Sequence, residues 1–204
     1  MARTPSFDHD SVIRAARTLF WASGYDNTSV PDLERATGLS RSSLYNTFGS
    51  KRGLYDAAVQ SYLDEIVRPR LAPLTAATVP ADAVLTYLVG LRDAFLRPDS
   101  LPSGNGCLLV NSAGAPIAQD ERAARVIAAY HAELQSALAR GISARQPAAE
   151  PERVSLLADT VAGLVIAAFA LVRVDSSQAV RSIDAALDLL GEELASSGSR
   201  RARA

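Results

Sequence analysis

The chain contains one cysteine, one methionine, one tryptophan and, within a basic total of 21, a single lysine, Lys51. One cysteine excludes an intrachain disulfide. With only two scattered histidines, it also argues against a structural zinc site, so no metal and no cofactor are expected. A net charge of −1 excludes nucleic-acid binding by bulk charge. The longest uncharged apolar run, Thr160 to Val172, is shorter than the roughly 20 residues that a bilayer-spanning helix needs. The polar N-terminus ARTPSFDHD lacks the look of a secretory leader. Together these shortages predict a cytoplasmic protein without a membrane partner. Long β-branched runs are also missing, whereas alanine and leucine abound and hydrophobic residues make up 48%. That composition predicts an all-α protein with a real core.

The most informative stretch is residues 28 to 55, TSVPDLERATGLSRSSLYNTFGSKRGLY. Thr28 or Ser29 can cap a first helix, with Pro31 in its first turn and Asp32 suiting the helix dipole. Val30, Leu33 and Ala36 give that helix an apolar stripe. Gly38 ends it, because glycine takes left-handed backbone angles without penalty. Ser40 can cap a second helix, Arg41 to Phe48, which would pack through Leu44 and Phe48, an i, i+4 pair. Gly49 ends the second helix, and Ser50 can cap a third from Lys51.

Two helices joined by a tight glycine-containing turn form a helix-turn-helix, whose second helix enters the DNA major groove. The outer face of Arg41–Phe48 carries Ser42, Ser43 and Asn46, flanked by Tyr45 and Thr47, with Arg41 in the first turn. These side chains donate, accept and stack, as base edges and phosphates require. No acidic residue lies between Arg35 and Tyr55. The bland alternative is a helical hairpin with a polar outer face.

The stretch closely resembles the DNA-binding domain of the TetR family of bacterial one-component transcriptional regulators. The match runs through Gly24-Tyr25, Thr28-Ser29-Val30, Ala36-x-Gly38-Leu39-Ser40-Arg41, Ser43-Leu44-Tyr45, Phe48, Ser50-Lys51 and Leu54. Glu34 departs from the small or apolar residue usual there, and Thr47 replaces a common aromatic or histidine. The resemblance implies an N-terminal three-helix DNA-binding domain at 1–50 and a helical effector-binding and dimerisation domain at 51–196, about nine helices in all. Residues 197–204 would form a disordered basic tail. It implies a homodimeric repressor on a palindromic double-stranded operator, released by a small molecule. Arg41 and Asn46 would read base edges. Thr28, Tyr45 and Lys51 would hold phosphates, and Ser42, Ser43 and Thr47 would complete the DNA-binding set.

Elsewhere the chain reads as helices and loops. A bracing helix is expected over about Asp8–Ser23, preceded by an arm in which Arg3 could reach a phosphate. The helix from Lys51 should stop near Val67 at Pro69 and Pro73, with 69–81 a connection. Further helices are expected at about Ala81–Leu96, Asp120–Arg140, Glu152–Arg173 and Ser177–Ala195. Residues 97–106 and 142–152 read as loops. The helix containing Thr160–Val172 is apolar almost all round, so one of its sides is expected against a second subunit.

Gly106-Cys107-Leu108-Leu109-Val110-Asn111 resembles a Gly-Cys-Leu segment found in some TetR-type repressors, certain of which sense electrophiles through that cysteine. A cysteine at a helix N-terminus can have a lowered thiol pKa, which suits such sensing. Cys107 and Asn111 are therefore candidate sensor residues, although a free cysteine is also commonly just a small buried hydrophobe. The apolar middle helices favour a small apolar or electrophilic effector. Two other classes remain: a thiol enzyme with Cys107 as nucleophile and His131 as base, and a helical adaptor that binds only proteins.

Overall fold

A computed structural model describes the backbone of residues 8–201 and the side chains of residues 8–191. The expected N-terminal arm with Arg3 and residues 202–204 of the expected tail lie outside the described residues. The described residues are helical, with no strand. Nine helices have eight or more residues, and two short ones, α7 and α8, sit at the centre.

The head consists of α1 (His9–Ser23), α2 (Val30–Thr37) and α3 (Arg41–Phe48), closed by the start of α4 (Lys51–Tyr62). Local chemistry sets each boundary. Asp8 caps α1. Ser29 and Asp32 form a reciprocal capping box on α2. Ser40 caps α3 by accepting from the Ser43 amide, and Ser50 caps α4 by accepting from the Gly53 amide. Phe20, Trp21, Leu33, Leu44, Leu54 and Tyr55 make the core of the head. Ala36, expected in the inner stripe of α2, is exposed.

Proline does not end α4. The helix passes into a π-helical segment, Leu63–Val67, and then into α5 (Arg68–Thr75). Pro69 falls in the first turn of α5, and Pro73 lies inside it. The π segment has already given up the regular i−4 register, so a missing N–H costs least just after it. The expected connection at 69–81 therefore shrinks to about 76–82.

The second half of the chain comprises α6 (Ala83–Leu96), α7 (Leu101–Asn105), α8 (Leu108–Ala113), α9 (Glu121–Arg145), α10 (Pro151–Leu171) and α11 (Ser176–Arg201). The region 97–106 is not all loop. Ser100 caps α7, and Pro102 sits buried in its first turn. Nor does Gly141 end α9. It lies within the helix where a Cβ would meet Leu74 Cδ2 at 2.5 Å and Val84 Cβ at 2.9 Å. Only glycine lets α9 approach α5 and α6 so closely. The expected basic tail begins within α11.

Helix α10 is long and apolar enough, by length and composition alone, to cross a membrane, unlike the shorter uncharged run inside it. It packs between α9 and α11 and buries Val154, Leu157, Val161, Val165 and Phe169. Its opposite face is not covered within one chain. Leu156 and Leu171 are exposed there, Gly163 and Ala170 lie between them, and Val174 follows at 85% exposure.

Candidate nucleic-acid interface and effector cavity

The recognition surface is built on α3. Leu44 is buried and Phe48 half-buried, which anchors the helix. Arg41, Ser42, Tyr45, Asn46 and Thr47 are exposed on the same helix. The Arg41 guanidinium lies over the Tyr45 ring, 5.5 Å from its centroid. Ser43 is half-buried, and its hydroxyl lies 3.0 Å from Ser40 Oγ, so it serves the cap more than the outer face. Phe48 also stacks with exposed His9, at 5.2 Å between ring centroids.

Glu34 fixes the turn ahead of α3. Its Oε1 accepts from the Arg41 amide at 2.6 Å. A carboxylate at a helix N-terminus satisfies an orphan N–H and suits the dipole. The residue that departs from the family pattern thus ties α2 to the recognition helix.

The two remaining predicted phosphate contacts are placed differently. Lys51 starts α4 half-buried, with its ammonium 4.2 Å from the Tyr25 ring centroid. Partial burial lowers its pKa, and Asp26 opposes that shift. Thr28 is 2% exposed, and its hydroxyl donates to the Gly24 carbonyl at 2.7 Å. Its side chain is committed to the chain's own turn, so the expected phosphate contact through the Thr28 hydroxyl is not supported.

The head is bolted to the rest through buried groups and ion pairs. Trp21 Nε1 donates to the Gly106 carbonyl at 3.2 Å, and Tyr55 Oη lies 2.7 Å from Ser112 Oγ. Gly106 has φ 68°, and a Cβ there would stand 2.8 Å from the Phe169 carbonyl oxygen, so glycine is required on both counts. Glu65, on the π segment, receives Arg14 at 2.9 Å and Arg17 at 3.0 Å from α1. Those two hydrogen bonds lower its carboxyl pKa to about 2. Arg122 Nη1 reaches Asp56 at 3.3 Å, and Arg52 Nη2 reaches Asp120 at 2.8 Å.

Cys107 is fully buried as the N-cap residue of α8, and its side chain makes no capping bond. Its thiol donates to Tyr130 Oη at 3.6 Å, and its influence also reaches the buried Tyr62 phenol. Burial first, then the cysteine, pushes the Tyr62 and Tyr130 phenols well up. Asn111 does not join this cluster; its Nδ2 donates to the Asn105 carbonyl at 2.8 Å and holds the end of α7. His131 is exposed and absent from the thiol's partners, so the nucleophile–base pair of an enzyme does not form. Among the described residues no group of three metal-ligating side chains occurs.

Beside the tyrosines opens a cavity of about 360 Å³ between the π segment, α5, α6, α9 and α10. Tyr62, Tyr87 and Tyr130 line it together with Ile66, Leu91 and Phe169. Sequence reasoning anticipated apolar middle helices but missed the π segment as a wall of the cavity.

A helix-turn-helix whose second helix is exposed, polar and free of acidic residues, set on an all-helical body, defines a DNA-binding transcriptional regulator. The chain belongs to the TetR family. The model for bacterial regulatory proteins of the tetR family matches residues 12–58. The HTH-type transcriptional regulator YezE of Bacillus subtilis (strain 168) is 34% identical over 146 residues, covering 70% of this chain and 72% of that one. The HTH-type transcriptional repressor ComR of Escherichia coli (strain K12) is 29% identical over 149 residues, covering 72% and 70%. A cysteine mutant of the TetR family regulator CifR, complexed with 26-base-pair operator DNA, superposes with a TM-score of 0.74 at 26% identity, covering 91% of this chain and 98% of that one.

Proposed function

We propose that the protein is a homodimeric repressor that reads a two-fold-related operator and is released by a small molecule. The observation that carries this reading is the exposed face of α3, where Arg41, Ser42, Tyr45, Asn46 and Thr47 reach solvent and no residue of the helix itself is acidic. Arg41 and Asn46 read base edges; Tyr45 and Lys51 hold phosphates, and Ser43 keeps the turn in register. The uncovered apolar face of α10 supports the dimer, which fixes the spacing of two recognition helices. The repressor ComR and the operator-bound CifR support repression and operator binding.

The effector enters the cavity beside Tyr62, Tyr87 and Tyr130. Its walls include Ile66 and Val67, which lie on the helix that starts at Lys51. An occupant that favours a shifted π segment moves the head, provided that it binds the released state more tightly by a few kcal/mol. Selection of an operator from random DNA, followed by mobility shift, tests the reading. A two-fold-related site is expected; absence of any specific site at low salt favours an adaptor instead.

A second reading places the chain in the subgroup with the Gly-Cys-Leu segment and makes Cys107 an electrophile sensor. Its contact with the tyrosines of the cavity favours that reading. Full burial requires the electrophile to enter the cavity first. Quinones or aldehydes should then release wild type and leave Cys107→Ser on the operator. Equal release of both removes the sensor.

A further inference from the structure

At least half of the sixteen arginines whose side chains are described are ion-paired. Arg14, Arg17, Arg35, Arg52, Arg68, Arg92, Arg122 and Arg125 each reach a carboxylate. Two of the arginines without an ion pair among the described residues, Arg70 and Arg97, line the same cavity. Both are exposed, so they stand at its mouth. Arg97 spends one N–H on the Asp93 carbonyl, at 3.3 Å.

The inner wall supplies a second polar feature. Tyr87 is half-buried, lines the cavity and makes no hydrogen bond to another described residue. Tyr62 and Tyr130 differ, since both are engaged with Cys107. Burial pushes the Tyr87 phenol well up, so it stays protonated and remains a donor at neutral pH. Arg70 lies on α5, Tyr62 on α4 and Tyr87 on α6, and all three line the cavity. Between these polar points the wall is apolar: Ile66, Leu71, Leu91, Leu134 and Phe169.

A cavity of this kind suits a molecule with one anionic end and an apolar body. A neutral apolar guest would leave the Tyr87 hydroxyl unpaired, at the cost of burying a polar group without a partner. A carboxylate accepts from the hydroxyl and from a guanidinium at once, and charge-assisted bonds are the stronger kind. A volume of about 360 Å³ lies at the low end of the usual range for ligand pockets, which favours a single ring or a medium chain.

We propose that the cavity binds an organic acid, an aryl- or alkyl-carboxylate, with its carboxylate held by Tyr87 Oη and Arg70 and its body packed against Leu91, Leu134 and Phe169. The proposal rests on the cavity being the effector site and names the class of effector. Arg97 adds a second positive charge at the mouth and speeds capture.

Calorimetric titration of the full-length protein with 3-phenylpropanoate and octanoate, each against its primary amide, tests this. The acids are expected to bind at least about tenfold more tightly than their amides. Arg70→Gln should bring acid and amide within about threefold of each other, and Tyr87→Phe should weaken the acid about fivefold and the amide by less. Arg140→Gln, outside the cavity, should preserve the preference. Equal binding of acid and amide, a preference that survives Arg70→Gln, or no acid binding up to about 5 mM overturns the proposal. The effector reading is judged separately, with Leu91→Trp to fill the cavity: if an uncharged compound releases the operator and Leu91→Trp abolishes that release, the cavity stands and only the acid class falls.

Discussion

Two surfaces of the molecule are exposed for opposite reasons. On α3, Arg41, Ser42, Tyr45, Asn46 and Thr47 face water with polar and stacking groups. On α10, Leu156, Gly163, Ala170 and Leu171 face water as a mainly apolar stripe, with Asp159 and Thr160 beside it. Solvent tolerates the first surface. The second loses free energy until another apolar surface covers it. A partner for α3 must therefore bring hydrogen-bond acceptors and negative charge, whereas a partner for α10 must bring apolar area. That difference gives the two surfaces distinct signatures under mutation, salt and pH.

The largest expected effect is on α3. Arg41→Ala, Tyr45→Ala and Lys51→Ala combined should reduce operator affinity by at least about a thousandfold in mobility shift. Circular dichroism should show an unchanged fold, because Arg41 and Tyr45 are exposed and Lys51 is half-buried. Affinity retained within about tenfold would remove the recognition-helix assignment.

Next comes Gly163→Glu. A Cβ there meets nothing within 4 Å in a single chain, so the variant should fold. A charge in the middle of an apolar interface should leave monomers in sedimentation and weaken operator binding about a hundredfold. Dimers that persist would move the interface off this face.

Salt separates the surfaces more finely. Operator affinity should fall on a log–log plot by about 0.9 for each phosphate neutralised, and dimerisation should barely respond. Comparable slopes for both would mean that the α10 interface is largely ionic.

The smallest effect belongs to the seam between head and body. Glu65 has a folded-state pKa of about 2, below its unfolded value, so its contribution is present above the unfolded pKa of about 4.3 and disappears as pH falls towards 2. Glu65→Gln should make thermal stability less acid-sensitive across that window. Because the Glu65 side chain is partly exposed, the change should be modest. An identical pH profile for both proteins would show that Arg14 and Arg17 find other partners.

Chemistry local to the chain was legible in the sequence. The limits of α3 follow from Ser40 before it and Gly49 after it, and the structure has the same limits. The all-α class and the family followed from composition and from fixed spacings around α2 and α3. Features set by distant contacts were not legible. Pro69 and Pro73 signal a stop, yet the helix passes through a π segment and continues past both as α5. Gly141 signals an end, yet it is placed by Leu74 and Val84, some sixty residues away in the chain. Thr28 appeared available to DNA until its hydroxyl was found bonded to Gly24. Hydropathy marked α10 as apolar all round and suggested a second subunit on one side, but a pattern cannot tell which face its own chain covers. The cavity has no sequence signature: its tyrosines and arginines come from α4, α5, α6 and α9 and meet only in three dimensions.

Trp21 is the chain's single tryptophan, and its indole N–H rests on the carbonyl of Gly106, the residue before Cys107. The molecule thus carries its own optical probe at the joint between the DNA-reading head and the cavity. Indole emission depends on that hydrogen bond and on the polarity around the ring. Movement of the joint, whether a guest or an operator drives it, should shift the emission of this one residue, so both events can be timed in solution without attaching a dye.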